Sequence, residues 1–120
     1  MRHLSACSIA VAVAVGIVWS GCEDPHDERV ALGKEVYTED CSRCHMQNGR
    51  GYPGVYPNLA DNPIVELESP EAAIEIVLDG RESMPGFGGE LPVQKLAAVV
   101  TYIRQAWGND APGVTPAQLR

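Results

Sequence analysis

The feature that constrains this chain most is a pair of cysteines two residues apart, Cys41 and Cys44, with His45 directly after the second. This order is the attachment signature for a c-type haem. Each thiol adds across a vinyl group of the porphyrin, and the next residue places an imidazole beneath the iron. A redox disulfide, half of a zinc site and chance are the alternatives. The spacing predicts Cys41 and Cys44 as covalent attachment points and His45 as the proximal ligand.

The rest of the chain weakens these alternatives. A redox dithiol is expected beside a βαβ pattern, and no strand pattern flanks the motif. A zinc site needs a second pair of ligands, whereas the other cysteines, Cys7 and Cys22, lie in or beside a hydrophobic N-terminal segment. Because two cysteines are there and two are in the motif, a disulfide framework is also disfavoured.

Length and charge narrow the class of protein further. A chain of 120 residues is enough for one small domain. It carries 16 acidic and 9 basic residues, a formal charge of −7, which argues against nucleic-acid binding because that requires basic patches. A weak encounter with a basic partner surface is the expectation instead.

The N-terminal segment predicts export. Residues 4–22 contain no charged side chain, Arg2 precedes them, and 11–18 are almost wholly apolar, as in a secretory signal. The Trp-Ser-Gly-Cys sequence at 19–22 resembles a lipoprotein cleavage box. We therefore expect residues 1–21 to be a lipoprotein-like signal peptide and Cys22 to carry the lipid. An uncleaved anchor and ordinary cleavage are the alternatives, and all three place the domain outside the cytoplasm, in the periplasm.

Helical periodicity predicts an all-α domain. The expected helices cover about 27–40, a short segment from Pro63 to about 67, the stretch from Pro70 to a stop at Gly80, and about 92–107. We expect a tether at 22–28, the domain at 29–108 and a flexible tail at 109–120, which is rich in proline and glycine.

Two loop residues are candidates for the haem site. Pro57 follows His45 by 12 positions, and its carbonyl is a suitable acceptor for the free N–H of a ligating imidazole. Met84 lies in a glycine-rich loop, 39 positions beyond His45, and a thioether suits a haem that transfers electrons. An internal methionine is more often core filler. Since Met1 is the initiator and Met46 adjoins His45, Met84 is the preferred candidate.

With these residues assembled, the chain resembles the class I c-type cytochromes over residues 30–108. The resemblance lies in Cys-Ser-Arg-Cys-His at 41–45, Tyr-Pro-Asn-Leu at 56–59, Met-Pro-Gly-Phe at 84–87 and Val-Val-Thr-Tyr-Ile-Arg at 99–104. It implies a small cytochrome c fold, with three to four helices around one covalently bound haem c.

The resemblance also implies specific contacts. The N- and C-terminal helices would cross, with Gly33 and Tyr37 meeting Val99 and Tyr102. His45 and Met84 would be the axial ligands, and Pro57 would accept the hydrogen bond from His45.

The function expected from this resemblance is one-electron transfer between membrane-associated or periplasmic redox proteins, without catalysis by the chain itself. A fixed haem subunit of a dehydrogenase or oxidase is one alternative. A haem enzyme or gas sensor is another, and it would need an open axial position.

Overall fold

The computed structural model describes residues 21–119. The signal peptide expected over 1–21 therefore lies outside the described residues, apart from Gly21. Within the described range the chain forms four α-helices and no β-strand: α1 (Pro25–Val36), α2 (Ser42–His45), α3 (Glu71–Asp79) and α4 (Val93–Gln105). The all-α prediction is confirmed.

The first helix begins earlier than expected. The carboxylate of Asp24 accepts a hydrogen bond from the backbone N–H of His26 over 2.9 Å, and Pro25 is the first helical residue. A capping carboxylate followed by proline is a strong start signal. The tether expected at 22–28 is therefore wrong in length, since α1 already includes residues 25–28.

Between α1 and α2 the chain forms a π-helical turn, Tyr37–Cys41. The backbone N–H of Ser42 bonds to the carbonyl of Tyr37, five residues back. A π-turn contains one residue more than an α-turn, so it rotates every following side chain around the helix axis. The turn ends at the first cysteine of the motif, so this rotation sets the direction of the Cys41 side chain.

Helices α1 and α4 cross at Gly33. A Cβ atom at Gly33 would overlap the carbonyl oxygen of Ala98 and lie 2.7 Å from Cβ of Tyr102. The rings of Tyr37 and Tyr102 lie beside this point, with centroids 5.5 Å apart. The expected crossing of the N- and C-terminal helices is confirmed, and close backbone contact is the reason for a glycine inside α1.

The short helix expected at 63–67 is wrong. Asn62 does cap this segment, because its side-chain oxygen accepts from the N–H of Ile64 over 2.9 Å. A single turn follows, closed by the N–H of Glu66 bonding to the Asn62 carbonyl over 3.0 Å. The start signal was read correctly, but the chain leaves the helical path after one turn.

The tail expected to be flexible at 109–120 is also wrong as far as residue 119. Val114 is completely buried, and Asn109 and Ala111 are buried as well. The hydroxyl of Thr101 on α4 donates to the Val114 carbonyl and accepts from its N–H, over 3.1 and 2.8 Å. This segment, the C-terminal wrap (residues 109–119), is therefore packed against α4.

Candidate functional site

One cavity of about 430 Å³ brings together all five residues predicted for the domain's haem site: Cys41, Cys44, His45, Pro57 and Met84. Helices α2, α3 and α4 and two loops form its walls. Most of the remaining lining is aliphatic or aromatic: Val55, Leu59, Ile64, Val65, Ile76, Val77, Phe87, Val100 and Ile103. The motif cysteines therefore open onto an apolar crevice, as a porphyrin would require.

His45 is buried at the end of α2. Its Nδ1 lies 3.0 Å from the carbonyl oxygen of Pro57, and because a carbonyl can only accept, Nδ1 is the donor. This bond fixes the ring orientation and leaves Nε2 with its lone pair, the arrangement that a histidine ligand to iron needs. The contact predicted between the two residues is present.

Gly51 places the Pro57 carbonyl. Its N–H bonds to the His45 carbonyl over 2.9 Å, and its φ of +61° is favourable only for glycine. A Cβ atom at Gly51 would overlap the carbonyl oxygen of Tyr56 and lie 2.9 Å from the carbonyl carbon of Pro57. The backbone at residue 51 can lie this close to both His45 and Pro57 only because Gly51 has no side chain.

The Met84 loop is held by the end of α3. The last carbonyls of a helix lack intrahelical partners, and here those of Val77 and Leu78 accept the N–H groups of Phe87 and Gly88 over 2.8 and 3.1 Å. A tight turn also pairs the backbones of Arg81 and Met84, over 2.9 and 3.1 Å. Met84 thus enters the cavity from a loop with little backbone freedom.

The two motif cysteines are half-buried thiols. Burial, with smaller contributions from the charges of Asp40 and Cys44, raises the pKa of the Cys41 thiol to about 12. Since the thiolate is the species that exchanges disulfides and binds metals, this environment disfavours both a redox dithiol and a zinc site. A neutral thiol facing an apolar cavity fits thioether formation with a porphyrin vinyl group.

The donor set fits a haem. Two thiols, an imidazole with a free nitrogen and a thioether surround one apolar space, which matches the attachment and axial groups of a c-type haem. The charged side chains of Arg81, Glu82 and Arg104 also reach this lining.

A family model described as cytochrome c oxidase, cbb3-type, subunit III matches residues 28–103 of the chain. The chain belongs to the class I c-type cytochromes. As a member of this family, the cytochrome carries one covalently bound haem c and transfers electrons rather than catalysing a reaction itself.

Curated relatives support the same family assignment. The cytochrome is 38% identical over 96 residues to the cytochrome c subunit of the quinone alcohol dehydrogenase of Gluconobacter oxydans. That match covers 71% of this chain and 20% of the relative, so the chain spans about a fifth of the subunit's length. It is 32% identical over 94 residues to cytochrome c-552 of Thermus thermophilus, covering 66% of this chain and 70% of that protein.

Solved structures agree with the fold. Cytochrome c6 from the diatom Phaeodactylum tricornutum is similar at 26% identity with a TM-score of 0.52, over 62% of this chain and 88% of that structure. The cytochrome is thus comparable in size to a small, free-standing relative as well as to one module of a larger subunit.

Sequence reasoning missed the charged side chains of the cavity wall, and Arg104 is the buried one among them. Arg104 is fully buried, although arginine is almost never buried without a partner. A signal was present: Arg104 follows Val100 by four residues, so it lies on the apolar face of a helix predicted from its periodicity.

Cys22 was predicted to be lipidated. In the structure its sulfur is disulfide-bonded. Lipidation stays a prediction. Among residues 21–119, no helix combines the length and apolarity needed to cross a membrane.

Proposed function

We propose that this cytochrome is an exported one-electron carrier with His45 and Met84 as its axial ligands, which passes electrons between a dehydrogenase and an oxidase or similar acceptor. When bound, the haem supplies an iron that alternates between the ferric and ferrous states. With both axial positions filled by the protein, little rearrangement accompanies transfer, and no position remains open for a substrate or gas.

The observation that carries the proposal is the His45–Pro57 hydrogen bond at the wall of the cavity that Met84 also lines. The bond orients the imidazole with Nε2 available. The rigid loop from Arg81 to Gly88 presents the thioether, which favours the ferrous state more than a second imidazole would. The apolar lining excludes water, which raises the reduction potential further.

Replacing Met84 tests the ligand assignment. We expect M84A to lose the weak long-wavelength absorption band of an iron–methionine bond, to have a lower reduction potential and to bind carbon monoxide quickly. M46L is the matched control, because Met46 adjoins His45 but is exposed, and it should keep the wild-type spectrum. An M84A spectrum and potential equal to those of the wild type would refute Met84 ligation.

A fixed subunit of a larger dehydrogenase is the second candidate function. It is supported by the similarity to cytochrome c subunits of the alcohol dehydrogenase of Gluconobacter oxydans and of the gluconate 2-dehydrogenase of Pantoea cypripedii. Purification from native membranes separates the two. A carrier should elute alone, whereas a subunit should co-elute with a dehydrogenase in fixed ratio and stay bound at high salt.

The formal charge of −7 supports a partner with a basic docking face. Association with such a partner should weaken as ionic strength rises, because salt screens exposed charges. Rates of reduction by candidate dehydrogenases, measured across a salt series, test this. Rates that do not change with salt would contradict an electrostatic encounter.

The place of action is proposed from the N-terminal segment and from haem chemistry. Covalent haem attachment in bacterial members of this family takes place outside the cytoplasm, and residues 1–21 have the pattern of a lipoprotein-like signal. Intact mass measurement of the mature protein distinguishes the possible states of Cys22. A diacylglyceryl group on Cys22 would support lipid attachment, and a mass that still includes residues 1–21 would support an uncleaved anchor. A mass that shows cleavage without a lipid would support a protein free in the periplasm.

A further inference from the structure

Arg104 is a buried cation in the wall of the cavity. It lies near the end of α4 with none of its surface exposed, and it lines the cavity together with Val100 and Ile103. These three positions share one face of the helix. A positive charge is therefore held where the rest of that face is aliphatic.

The hydrogen bonds of Arg104 do not neutralise it. Nε donates to the carbonyl of Pro112 over 2.9 Å, Nη1 to that of Val65 over 3.0 Å, and Nη2 to that of Glu68 over 3.3 Å. Carbonyl oxygens satisfy the donors but carry no net charge. The side chain of Glu68 is exposed, so water screens its carboxylate.

The guanidinium remains ionised in this position. Burial lowers the pKa of Arg104 and the nearby Glu68 charge raises it, but arginine starts from so high a value that it stays protonated in proteins. Its three acceptors lie on the 62–68 loop and on the C-terminal wrap. Both segments hold the charge in a fixed position.

We propose that Arg104 is a positioning residue whose buried positive charge raises the reduction potential of the haem. Reduction adds one electron to the iron, so a fixed cation in the cavity wall stabilises the ferrous state relative to the ferric state. This inference rests on the proposed function, because it requires a haem in this cavity.

Arg81 provides an internal comparison. It lines the same cavity and carries the same charge, but its side chain is exposed. Water and salt screen an exposed charge within about 8 Å at physiological ionic strength, whereas a buried charge is screened much less. Arg104 should therefore affect the potential at all salt concentrations, and Arg81 mainly at low salt.

The test is potentiometric titration of the holoprotein as wild type, R104M, R104K and R81Q. R104M removes the charge and should lower the equilibrium constant for one-electron reduction about tenfold, or about 59 mV, at both low and high salt. R81Q should lower the reduction potential by a smaller amount, and this difference from the wild type should disappear at high salt. An R104M potential equal to that of the wild type would overturn the inference.

R104K tests the effect of the charge apart from the shape of the side chain. It provides a test even if R104M fails to fold. A buried lysine loses its proton at a pH where arginine does not. The R104K potential should therefore be near the wild-type value at low pH. As the lysine deprotonates, the equilibrium constant for reduction should fall about tenfold. The wild-type profile supplies the baseline for the other ionisable groups near Arg104 and the cavity: Tyr56, Glu68, Arg81 and Glu82. A potential for R104K that is already reduced at low pH and then parallels the wild type would overturn the inference.

The absorption spectrum of each variant distinguishes this inference from the proposed function. Absence of covalent haem or of methionine ligation in the wild type would defeat the proposed function. A normal haem spectrum in R104M with an unchanged potential would defeat only the role of Arg104.

Discussion

Gly51 lies against the carbonyl group of Pro57, the group that receives the Nδ1–H of His45 over 3.0 Å. The same glycine donates its own N–H to the carbonyl of His45. One residue without a side chain thus supports both ends of the contact that orients the proximal histidine, although it lies outside the haem-binding motif at 41–45.

Replacing Gly51 with alanine should therefore disturb the site. The methyl group would overlap backbone atoms, and the left-handed conformation costs a non-glycine residue about 1–2 kcal/mol in addition. We expect G51A to lower thermal stability and to change the reduction potential, because the His45–Pro57 bond must shift. Denaturation and potentiometric titration measure both effects.

Gly54 is a matched control for this variant. It also has a positive φ, +77°, but a Cβ atom there would meet nothing within 4 Å. G54A should show only the conformational cost of about 1–2 kcal/mol, with the wild-type potential. Equal shifts of the potential in G51A and G54A would mean that contact with Pro57 is unimportant.

How much of the site was predictable depends on how local each signal is. Cys41, Cys44 and His45 are adjacent in sequence, so their spacing alone specifies their chemistry. Met84 was chosen by elimination and loop context. The periodicity of α4 places Arg104 on the apolar face of the helix, but the carbonyl groups that satisfy it lie 8 to 39 positions away in the sequence, and no local pattern identifies them.

The crossing of α1 and α4 gives the second prediction. G33A should destabilise the folded protein by about 2 kcal/mol net, because overpacking costs up to about 3 kcal/mol and the obstructing atoms are backbone atoms of Ala98. The better helix propensity of alanine returns about 1 kcal/mol of this. Chemical denaturation monitored by circular dichroism measures the difference.

G89A is the control for the crossing. A Cβ atom at Gly89 meets nothing within 4 Å, so its free energy of unfolding should change by no more than about 0.5 kcal/mol. A G33A protein as stable as G89A would show that the helices can separate slightly without loss.

The fold shows the same division between local and distant signals. Proline before α3 and glycine after it gave both ends correctly, and the apolar periodicity gave α4. The π-helical turn at Tyr37–Cys41 was missed because no composition signal marks a single wide turn. The wrap at 109–119 was missed because proline and glycine indicate irregular backbone, and irregular backbone can be either flexible or firmly packed.

A third prediction concerns this wrap. T101V removes the hydroxyl that serves both the N–H and the carbonyl of the buried Val114. Leaving such groups unpaired costs about 1–3 kcal/mol each, so we expect a loss of about 2–6 kcal/mol in the free energy of unfolding. Cleavage of the C-terminal segment by added protease should also become faster.

Thr115 supplies the comparison, since it is exposed and bonds to the nearby Gln118. T115V should therefore resemble the wild type in both measurements. If protease removed residues 109–119 from the wild type as quickly as from T101V, the C-terminal segment would be a flexible tail rather than a packed one.

A fourth prediction concerns Tyr37, which is buried and donates to the carbonyl of Met46 over 2.6 Å. Burial, followed by the charges of Cys41 and Tyr102, raises the pKa of this phenol. A raised pKa in the folded state stabilises the fold below the unfolded pKa of about 10, and this contribution is lost as the pH rises above that value. Y37F should lose about 1 kcal/mol at neutral pH and should lose less further stability than the wild type above pH ~10. Y52F, at an exposed position, should follow the wild type at every pH.

The last prediction concerns removal of the haem. The haem is expected to fill an apolar crevice of about 430 Å³, and without it the residues that line the crevice lose the contacts on which so small a core depends. Small domains have only about 5–15 kcal/mol in total. The C41S/C44S variant, which cannot attach haem, should therefore be largely unfolded by circular dichroism. The single variant C41S, which keeps the Cys44 attachment, should retain helical structure and a haem spectrum. Native-like helicity in the haem-free double variant would show that the walls of the cavity collapse onto one another and that the fold does not depend on the porphyrin.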